Sequence, residues 1–389
     1  MFLFDKARTS RQKYSTGNCV SVKWKTNLNT FPPFGAESTA VLDNELNVYF
    51  GSHSGNFYAI DRNGKIRWVF TTTKKIYSSP LLYKERLYFT GGDGNLYCLD
   101  LNGKLIWVYN IGSKLMENKL ERILSHIRHL PFTFDFKRKK NITYKSWASP
   151  NLFDDYLFVT GYGPGLMCIK WSGELKWELD LGFPRYQLSG VAIDNDNKIY
   201  VASRKGILLK VDLSGRIIWK SKINRFWEPW GNPVINNKEN IVYSFFSKGE
   251  QKGIIVAHTL NGEKLWKIFR NSGIRGSCAL SNEGEMYVND FSGYILKIDA
   301  KSGEILLQKK ITTAIRGLWT TPTLDSDENI LLTIKDGPNS GRIMKLNKEL
   351  KELWSLKIGK SLSVPVIDKN SCVYVGDWNG NYYCINTLS

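Results

Sequence analysis

Short stretches of alternating apolar and polar residues recur along the chain, separated by turns that contain glycine or asparagine. The segment SSPLLYKERLYFTGGDGNLYCLDLNGKLIWVY, which begins at Ser78, has the same order of stretches as SVPVIDKNSCVYVGDWNGNYYCI, which begins at Ser363. Alternation with a period of two predicts strands, and turns of the NG and SG type predict hairpins. Each complete repeat therefore predicts four short antiparallel strands.

The repeats have a regular spacing. We call the start of each first strand the anchor, and it falls at Ala40, Pro80, Pro150, Val191, Pro233, Cys278, Pro322 and Pro365. The intervals are 40, 70, 41, 42, 45, 44 and 43 residues, so the second carries an insertion. One such sheet cannot bury its own faces, and a closed ring of sheets also protects their edges. We therefore predict an all-β fold, an eight-bladed β-propeller of four-stranded antiparallel blades.

Each last hairpin carries a glycine, followed four residues later by a large apolar residue. In the first five repeats this residue is Trp68, Trp107, Trp177, Trp219 and Trp266. The sixth repeat has Leu307 instead, and the seventh has Leu350 in place of the glycine. A tryptophan offers a large apolar surface. We expect it to pack between neighbouring blades.

The chain order also predicts how the ring closes. The eighth repeat has only three strands before Ser389, and VSVKWKTNL near the N-terminus supplies a fourth, with Trp24 in the tryptophan column. We therefore expect one propeller domain over residues 20–389, preceded by a basic segment over residues 1–19.

The segment VYFGSHSGNFYAIDRNGKIRWVF at residues 48–70, with its seven counterparts, resembles the repeats of the PQQ-like (pyrroloquinoline-quinone repeat, or BamB-like) β-propeller family. The family includes quinoprotein dehydrogenases and the lipoprotein BamB of outer-membrane assembly. The chain lacks the adjacent cysteine pair of the former and has no lipobox-like apolar run before Cys19. The resemblance implies the fold, whereas propellers support many functions. We expect no cofactor, neither PQQ nor calcium.

The insertion covers about residues 113–146. Its first half, KLMENKLERILSHIRHL, has apolar residues at helical spacing and predicts an amphipathic helix that ends at Pro131. The helix would pack on the propeller rim, present its apolar stripe to a partner or cover the channel. A basic loop follows, with Lys137, Arg138, Lys139 and Lys140. This run fits an acidic protein partner or phosphate groups, and a solvated loop is the alternative.

The loops that enter the first strands should gather at one mouth of the channel. The position three residues before each anchor reads Glu37, Tyr77, Trp147, Leu188, Trp230, Arg275, Trp319 and Leu362, with Arg316 nearby. Aromatic rings and charges at these positions predict a funnel that binds a flat, partly anionic ligand or a peptide. The alternative is that the side chains fill a wide channel. His53, from an adjacent loop, is either a general base or an exposed loop histidine.

Charge and cysteine content add constraints. The net charge is +18, and the N-terminal segment and the insertion supply half of it. A basic chain favours an acidic partner, with nucleic acid as a weaker possibility. No stretch is long and apolar enough to span a membrane, and the N-terminus lacks the features of a signal peptide. We predict a cytoplasmic protein with free thiols and no metal site. Cys98, Cys168 and Cys384 share one position of the third strand, where we expect packing against the fourth.

The sequence predicts binding more readily than catalysis. It contains no pattern typical of a nucleophilic triad, a paired-carboxylate site or a phosphate loop. The first hypothesis is a ligand- or protein-binding propeller, a scaffold. The alternative is an enzyme that acts on a small molecule at the funnel, for example in specialised biosynthesis. A PQQ-dependent dehydrogenase, a BamB-like assembly factor and a nucleic-acid binder are weaker alternatives.

Overall fold

The computed structural model describes residues 5–29, 35–111, 148–160, 165–179, 189–203, 206–223 and 227–388. They form eight antiparallel sheets of four strands each, which confirms the predicted eight-bladed propeller. The described residues contain no α-helix, and none of them forms a helix that is long and apolar enough to cross a bilayer. The helix and basic run predicted within residues 113–146 lie outside the described residues.

Blades 1 to 4 follow one another along the chain. Blade 1 contains β2 (Val41–Leu42), β3 (Val48–Gly51), β4 (Asn56–Ile60) and β5 (Ile66–Thr71), and blade 2 contains β6 (Leu81–Tyr83), β7 (Arg86–Thr90), β8 (Asn95–Asp100) and β9 (Leu105–Asn110). Blade 3 contains β10 (Asn151–Phe153), β11 (Tyr156–Thr160), β12 (Leu166–Lys170) and β13 (Leu175–Leu179), and blade 4 contains β14 (Ala192–Ile193), β15 (Ile199–Ser203), β16 (Ile207–Val211) and β17 (Ile217–Lys222).

Blades 5 to 8 continue in the same order. Blade 5 contains β18 (Val234–Asn236), β19 (Ile241–Lys248), β20 (Lys252–Thr259) and β21 (Lys264–Arg270), and blade 6 contains β22 (Ala279–Leu280), β23 (Glu285–Asn289), β24 (Tyr294–Asp299) and β25 (Ile305–Lys310). Blade 7 contains β26 (Thr323–Leu324), β27 (Ile330–Lys335), β28 (Ser340–Leu346) and β29 (Glu352–Gly359), and blade 8 contains β30 (Val366–Ile367), β31 (Cys372–Gly376), β32 (Asn381–Leu388) and β1 (Cys19–Asn27).

The N-terminal strand closes the ring as predicted. β1 pairs with β32 in antiparallel register, with Cys19 opposite Leu388 and Trp24 opposite Cys384. The first and last strands of the propeller thus share blade 8. The closure is non-covalent and depends on the backbone hydrogen bonds between these two strands.

The tryptophan of a fourth strand packs against the hairpin of the following blade. Trp68 Nε1 donates to the carbonyl oxygen of Leu101 at 3.0 Å. Gly103, in the same hairpin, has φ +83°, and a Cβ atom there would lie 2.6 Å from Trp68 Cδ2. The same close approach joins Trp24 to Gly64, Trp107 to Gly173, Trp177 to Gly215, Trp219 to Gly262 and Trp266 to Gly303. Glycine is required there both for the positive φ and for the close contact.

The third strand packs under this tryptophan, as predicted for the cysteine column. Cys98 lies opposite Trp107, Cys168 opposite Trp177 and Cys384 opposite Trp24. Burial raises the pKa of the Cys98 thiol to about 11 and that of Cys168 to about 12. These two thiols are protonated and packed as small apolar side chains at neutral pH.

The first strands line the channel, since those of neighbouring blades contact each other, whereas the fourth strands have exposed outer faces. A belt of hydrogen bonds joins the residues just before the anchors. In each bond the backbone N–H group of one residue donates to the side-chain oxygen of its counterpart in the next blade, at 2.7–3.0 Å. The donor and acceptor pairs are Thr39 and Ser79, Ser79 and Ser149, Gly190 and Asn232, Asn232 and Ser277, and Ser277 and Thr321. Gly190 and Val364 bear no side-chain oxygen at this position. Two bonds of the belt, those before blades 4 and 8, therefore have no side-chain acceptor, and among the described residues Val364 N makes no such bond to Thr39 either.

The N-terminal segment lies against the channel-lining strands before the chain enters β1. Arg8, Ser10, Gln12 and Thr16 are buried, and Thr16 Oγ1 donates to Asp325 Oδ2 at 2.8 Å. The segment was set apart in the sequence by its basic charge. Part of that charge, the guanidinium of Arg8, is inside the protein rather than on its surface.

Candidate functional site

The predicted mouth residues that fall in the described part of the chain come close together. They are Glu37, Tyr77, Trp230, Arg275, Arg316 and Trp319. Trp147 and the basic run Lys137, Arg138, Lys139 and Lys140 lie outside the described residues. Each side chain follows a fourth strand and precedes a first strand, so the blade repeat itself brings these loops to one end of the channel.

An ion pair crosses the mouth between blades 1 and 6. Arg275 Nη2 donates to Glu37 Oε1 at 3.2 Å, and His53 Nε2 lies 2.7 Å from Glu37 Oε2. The Glu37 side chain is only 14% exposed. Burial alone would raise the pKa of its carboxyl group, but Arg275 and His53 outweigh burial and the pKa is lowered. Glu37 is therefore ionised at neutral pH and holds Arg275 in place.

Aromatic rings form a wall beside this ion pair. The guanidinium of Arg275 lies 4.2 Å from the ring centroid of Trp319 and 6.0 Å from that of Trp230. Phe291 fills the space between the two indoles, with centroid distances of 5.6 Å to Trp319 and 5.8 Å to Trp230. Trp230 is itself fixed, because its Nε1 donates to Glu228 Oε2 at 2.9 Å. The wall offers flat apolar surface next to a cation.

Positive charges crowd the mouth on the side of blades 7 and 8. Lys360 Nζ lies 3.8 Å from the ring centroid of Trp378. Burial lowers the pKa of Lys360, and the charges of Lys335 and Arg316 lower it further. The carboxylate of Glu37 raises the pKa by less than these effects lower it. Arg316 forms an ion pair with Glu250. An anion at this position would relieve the mutual repulsion of these cations.

His53 is buried rather than exposed, so the expectation of an exposed loop histidine is wrong. It is 6% exposed and packs against Tyr77 and Trp378, with ring centroids at 4.5 and 5.4 Å. Burial raises the pKa of Tyr77, and the carboxylate of Glu37 raises it further. The histidine thus belongs to the mouth, where it contacts the acid that holds Arg275.

The repeat pattern in the sequence did not indicate Phe291 as a mouth residue. Its neighbour Asp290 is engaged inside the protein, where it accepts a hydrogen bond from Arg270 Nη2 at 2.8 Å. The sequence did contain a usable signal. In three blades an aromatic or imidazole ring lies two residues before the glycine that precedes the third strand: His53, Phe291 and Trp378. Lys360 has no counterpart of this kind, and its role follows only from the structure.

The described residues of the mouth do not offer a donor set that fits a PQQ–metal centre. Calcium and similar hard cations need several converging oxygen ligands. Among the described residues there is no group of three or more histidine, cysteine, aspartate or glutamate side chains placed to hold a metal ion. Glu37 and Glu250 are each engaged by an arginine, and Glu228 accepts from an indole. The sequence also has no adjacent cysteine pair.

A second concave region lies at the other end of the channel, among the turns that follow the first strands. A cavity of about 370 Å³ is bounded by the N-terminal segment at Asp5 and Arg11 and by the turns around Asn237 and Asn282. Nothing in the sequence pattern indicated it, because one of its walls is the N-terminal segment.

Comparison with known proteins agrees with this architecture. The sequence profile of the family described as outer membrane protein assembly factor BamB matches residues 17–127 and 172–387. Outer membrane protein assembly factor BamB of Kangiella koreensis is 24% identical over 194 residues, which is 46% of this chain and 46% of that protein. The aligned part thus spans about half the length of this relative.

Solved structures share the fold. BamB from Moraxella catarrhalis superposes with a TM-score of 0.67 at 13% identity, covering 95% of this chain and 98% of that one. A europium-containing methanol dehydrogenase superposes with a TM-score of 0.72 at 11% identity, covering 100% and 97%. Such low identities show the fold alone. Because the family profile spans most of the sequence and all eight blades are present, the chain belongs to the PQQ-like propeller family described as outer membrane protein assembly factor BamB.

Proposed function

We propose that the protein is a binding propeller whose mouth holds a ligand with a flat ring and a carboxylate or similar anionic group. The observation that carries this proposal is the position of Arg275. Its guanidinium is stacked on Trp319, and its side chain is 32% exposed. Among the described residues, only Glu37 accepts a hydrogen bond from it. The other N–H groups of Arg275 are donors for a carboxylate, which guanidinium binds in a planar, two-pronged geometry.

The neighbouring charges support the same ligand chemistry. Lys335 and Arg316 both disfavour the charged form of Lys360, and Glu250 is paired with Arg316. Two indole N–H groups, those of Trp319 and Trp378, are buried without a hydrogen-bond acceptor in the described structure. Buried donors without a partner cost free energy, and a small rearrangement around an anionic ligand would let it accept from them.

The alternative interpretation is that these side chains only fill the channel. Binding by isothermal titration calorimetry separates the two, with trimesate (benzenetricarboxylate) and PQQ as flat anionic probes and cyclohexanetricarboxylate as a probe of equal charge without a ring face. We expect Arg275→Ala to weaken trimesate binding about 10- to 100-fold, as for the loss of a charge-assisted hydrogen bond.

The matched control is Arg216→Ala. Arg216 pairs with Asp212 on an outer turn and its side chain is 81% exposed, so this variant removes the same charge without touching the mouth. Its binding should stay within about twofold of the unmodified protein, because exposed ion pairs contribute little. Equal losses in both variants, no preference for trimesate over the cyclohexane probe or no binding of any probe would refute the proposal.

Membership of the family favours a second candidate, a part in outer membrane protein assembly. Under that hypothesis the mouth would bind a protein segment with an acidic group rather than a small molecule. We retain the cytoplasmic location predicted from the sequence as a proposal. Fractionation of cells that make the full-length protein tests it: a periplasmic or membrane-bound protein that co-purifies with assembly factors would favour the second candidate.

An enzyme that acts on a small molecule at the mouth is the remaining alternative. His53 beside Glu37 is the observation that favours it, because an imidazole in contact with a carboxylate is a common acid–base pair in active sites. Incubation of the protein with any probe that binds, followed by mass spectrometry of the probe, distinguishes turnover from simple binding.

A further inference from the structure

The N-terminal segment is bound in the channel by a repeating set of backbone hydrogen bonds. The donor is always the N–H group two residues after an anchor. In blades 4 to 7 the pairs are Ile193 N to Lys6 O, Ile235 N to Ala7 O, Leu280 N to Thr9 O and Leu324 N to Ser10 O, at 2.8–3.0 Å. In blade 8 the equivalent N–H of Ile367 donates to Gln12 Oε1 at 2.6 Å. Five consecutive blades thus present the same donor to one extended segment.

The segment is bent to follow the ring. Arg8 and Ser10 have φ angles of 65° and 58°, in the left-handed region that residues other than glycine rarely adopt. Each such residue is unfavourable in isolation, so the contacts must hold it. Ser10 Oγ donates to the carbonyl oxygen of Pro322 at 2.7 Å, and Gln12 Nε2 donates to that of Pro365 at 3.1 Å. The bends let successive carbonyl groups meet successive blades.

Arg8 occupies the gap that Gly190 leaves in the belt. Its side chain is fully buried, Nε donates to the carbonyl oxygen of Val191 at 2.8 Å and Nη2 to that of Ser149 at 3.1 Å. Gly190 leaves free the space beside the guanidinium: a Cβ atom there would already be in ordinary contact with Arg8 Nη2, at 3.5 Å, and would lie only 2.6 Å from Asn232 Oδ1. Burial lowers the pKa of Arg8 to about 9, which still leaves it charged at neutral pH.

The gap before blade 8, at Val364, is filled by Gln12. The side chains that fill these two gaps are therefore supplied by the segment and not by the blades. Donors repeated on the blades give affinity for any extended backbone, and pockets for particular side chains give specificity, as in other modes of peptide recognition.

We propose that the inner ends of blades 4 to 8 form a peptide-binding site, that residues 5–12 are its ligand in the same chain, and that Arg8 is the specificity-determining residue. The site takes an extended peptide with arginine facing Gly190 and glutamine four residues later. A partner segment with this pattern would compete with the N-terminal segment. This site is separate from the mouth and does not depend on the function proposed for it.

The test uses the full chain, folded before it is cut. A recognition sequence for a specific protease replaces residues 13–15, where Lys13 and Tyr14 are exposed, so cleavage separates the segment from β1. Native mass spectrometry should show the fragment still bound after cleavage. A fluorescent synthetic peptide of residues 5–13 should then exchange into the site.

Two unlabelled peptides matched in charge give the decisive comparison. Arg8→Met and Lys6→Met each remove one positive charge, but Lys6 Nζ is only partly buried and has weaker contacts, with Asn197 Oδ1 at 3.4 Å and with the ring centroid of Phe153 at 5.1 Å. We expect the Lys6→Met peptide to compete within about threefold of the original sequence and Arg8→Met to compete at least about 30-fold less well, as for the loss of buried charged hydrogen bonds. Immediate loss of the fragment from an otherwise folded protein, or equal competition by both peptides, would overturn the proposal.

Hydrogen exchange gives a second measurement if the cleavable variant does not fold. In the unmodified protein the amides of Ile193, Ile235, Leu280 and Leu324 should be protected, and in full-length Arg8→Met they should exchange faster together, while amides of the fourth strands keep their rates. Exchange of these four amides at the rate of free solvent-exposed amides in the unmodified protein would contradict docking of the segment.

Discussion

Gly303 lies directly against the indole of Trp266, so close that a Cβ atom on it would be 2.6 Å from Trp266 Cδ2. Gly284 has a similar φ, +86° against +79°, but nothing lies within 4 Å of its Cβ position. We expect Gly284→Ala to cost about 1–2 kcal/mol of unfolding free energy, because of the positive φ alone. Gly303→Ala should cost about 1–3 kcal/mol more, because it also overpacks the contact between blades. Urea denaturation measures both, and equal losses would contradict this account of the contact.

The paired departures at Leu307 and Leu350 predict a compensating double substitution. Leu350 is buried with φ 60° at the position where other blades have glycine, and Lys309 Nζ donates to its carbonyl oxygen at 2.7 Å. Leu350→Gly alone should cost about 1–3 kcal/mol, because the cavity it leaves outweighs the relief of the positive φ. Leu307→Trp alone should cost about 1–3 kcal/mol through overpacking.

Together the two substitutions restore the tryptophan–glycine pair of the other blades. We expect the double variant to be at least about 1 kcal/mol more stable than the sum of the single losses predicts. Denaturation of all four proteins gives the coupling free energy. Strict additivity would show that the two positions do not act on each other.

Burial of His258 predicts a loss of stability in mild acid. Its Nε2 lies 2.9 Å from Ser221 Oγ, and burial, helped by Lys264, lowers its pKa from 6.5 to about 4. Below pH 6.5 the unfolded chain binds a proton at His258 that the folded protein does not. The unfolding free energy therefore decreases as the pH falls towards 4. The slope for one such group is about 1.4 kcal/mol per pH unit.

The comparison is the unfolding free energy at pH 7 and at pH 4.5, for the unmodified protein and for His258→Gln. The decrease should be smaller in the variant by about 2 kcal/mol. Between pH 7 and pH 8 the two proteins should show the same change, because His258 is neutral in both states there. A parallel decline of both proteins below pH 6.5 would rule out His258 as the cause.

The ion pair across the mouth predicts a loss of stability at a lower pH than the loss caused by His258. The pKa of Glu37 in the folded protein lies below the usual carboxyl value of 4.5. The ion pair therefore contributes fully to the unfolding free energy above pH 4.5, and this contribution is lost as the pH falls through the folded-state pKa. Glu37→Gln should therefore cost about 1–3 kcal/mol at pH 7, with the difference disappearing in strong acid. Glu174→Gln, in an exposed pair with Lys170, should change little at either pH. An equal effect of Glu37→Gln at all pH values would contradict the ionised pair.

The blade repeats could be predicted because each relies on local chemistry. The NG and SG turns set the hairpins, and the four-residue spacing from glycine to tryptophan brings Trp68 and Trp266 to the same place in every blade. The mouth column could be read from the same alignment, since a repeat fold places equivalent positions on one ring. The ion pair inside the mouth could not be read from the sequence. Glu37 and Arg275 are 238 residues apart and meet only because the ring closes.

By itself, then, the sequence determined the number of blades, their turns, the tryptophan contacts and the strand that closes the ring, because these depend on residues that are near in the chain or repeated at a fixed interval. Only the tertiary structure decided that Arg8 enters the gap left by Gly190 and that residues 5–12 dock on five blades. Arg8 and Val191 are 183 residues apart, and no local pattern records their contact. The physical reason is that the donors for the segment are backbone N–H groups, which every residue except proline carries and which become a binding site only when the ring of blades aligns them.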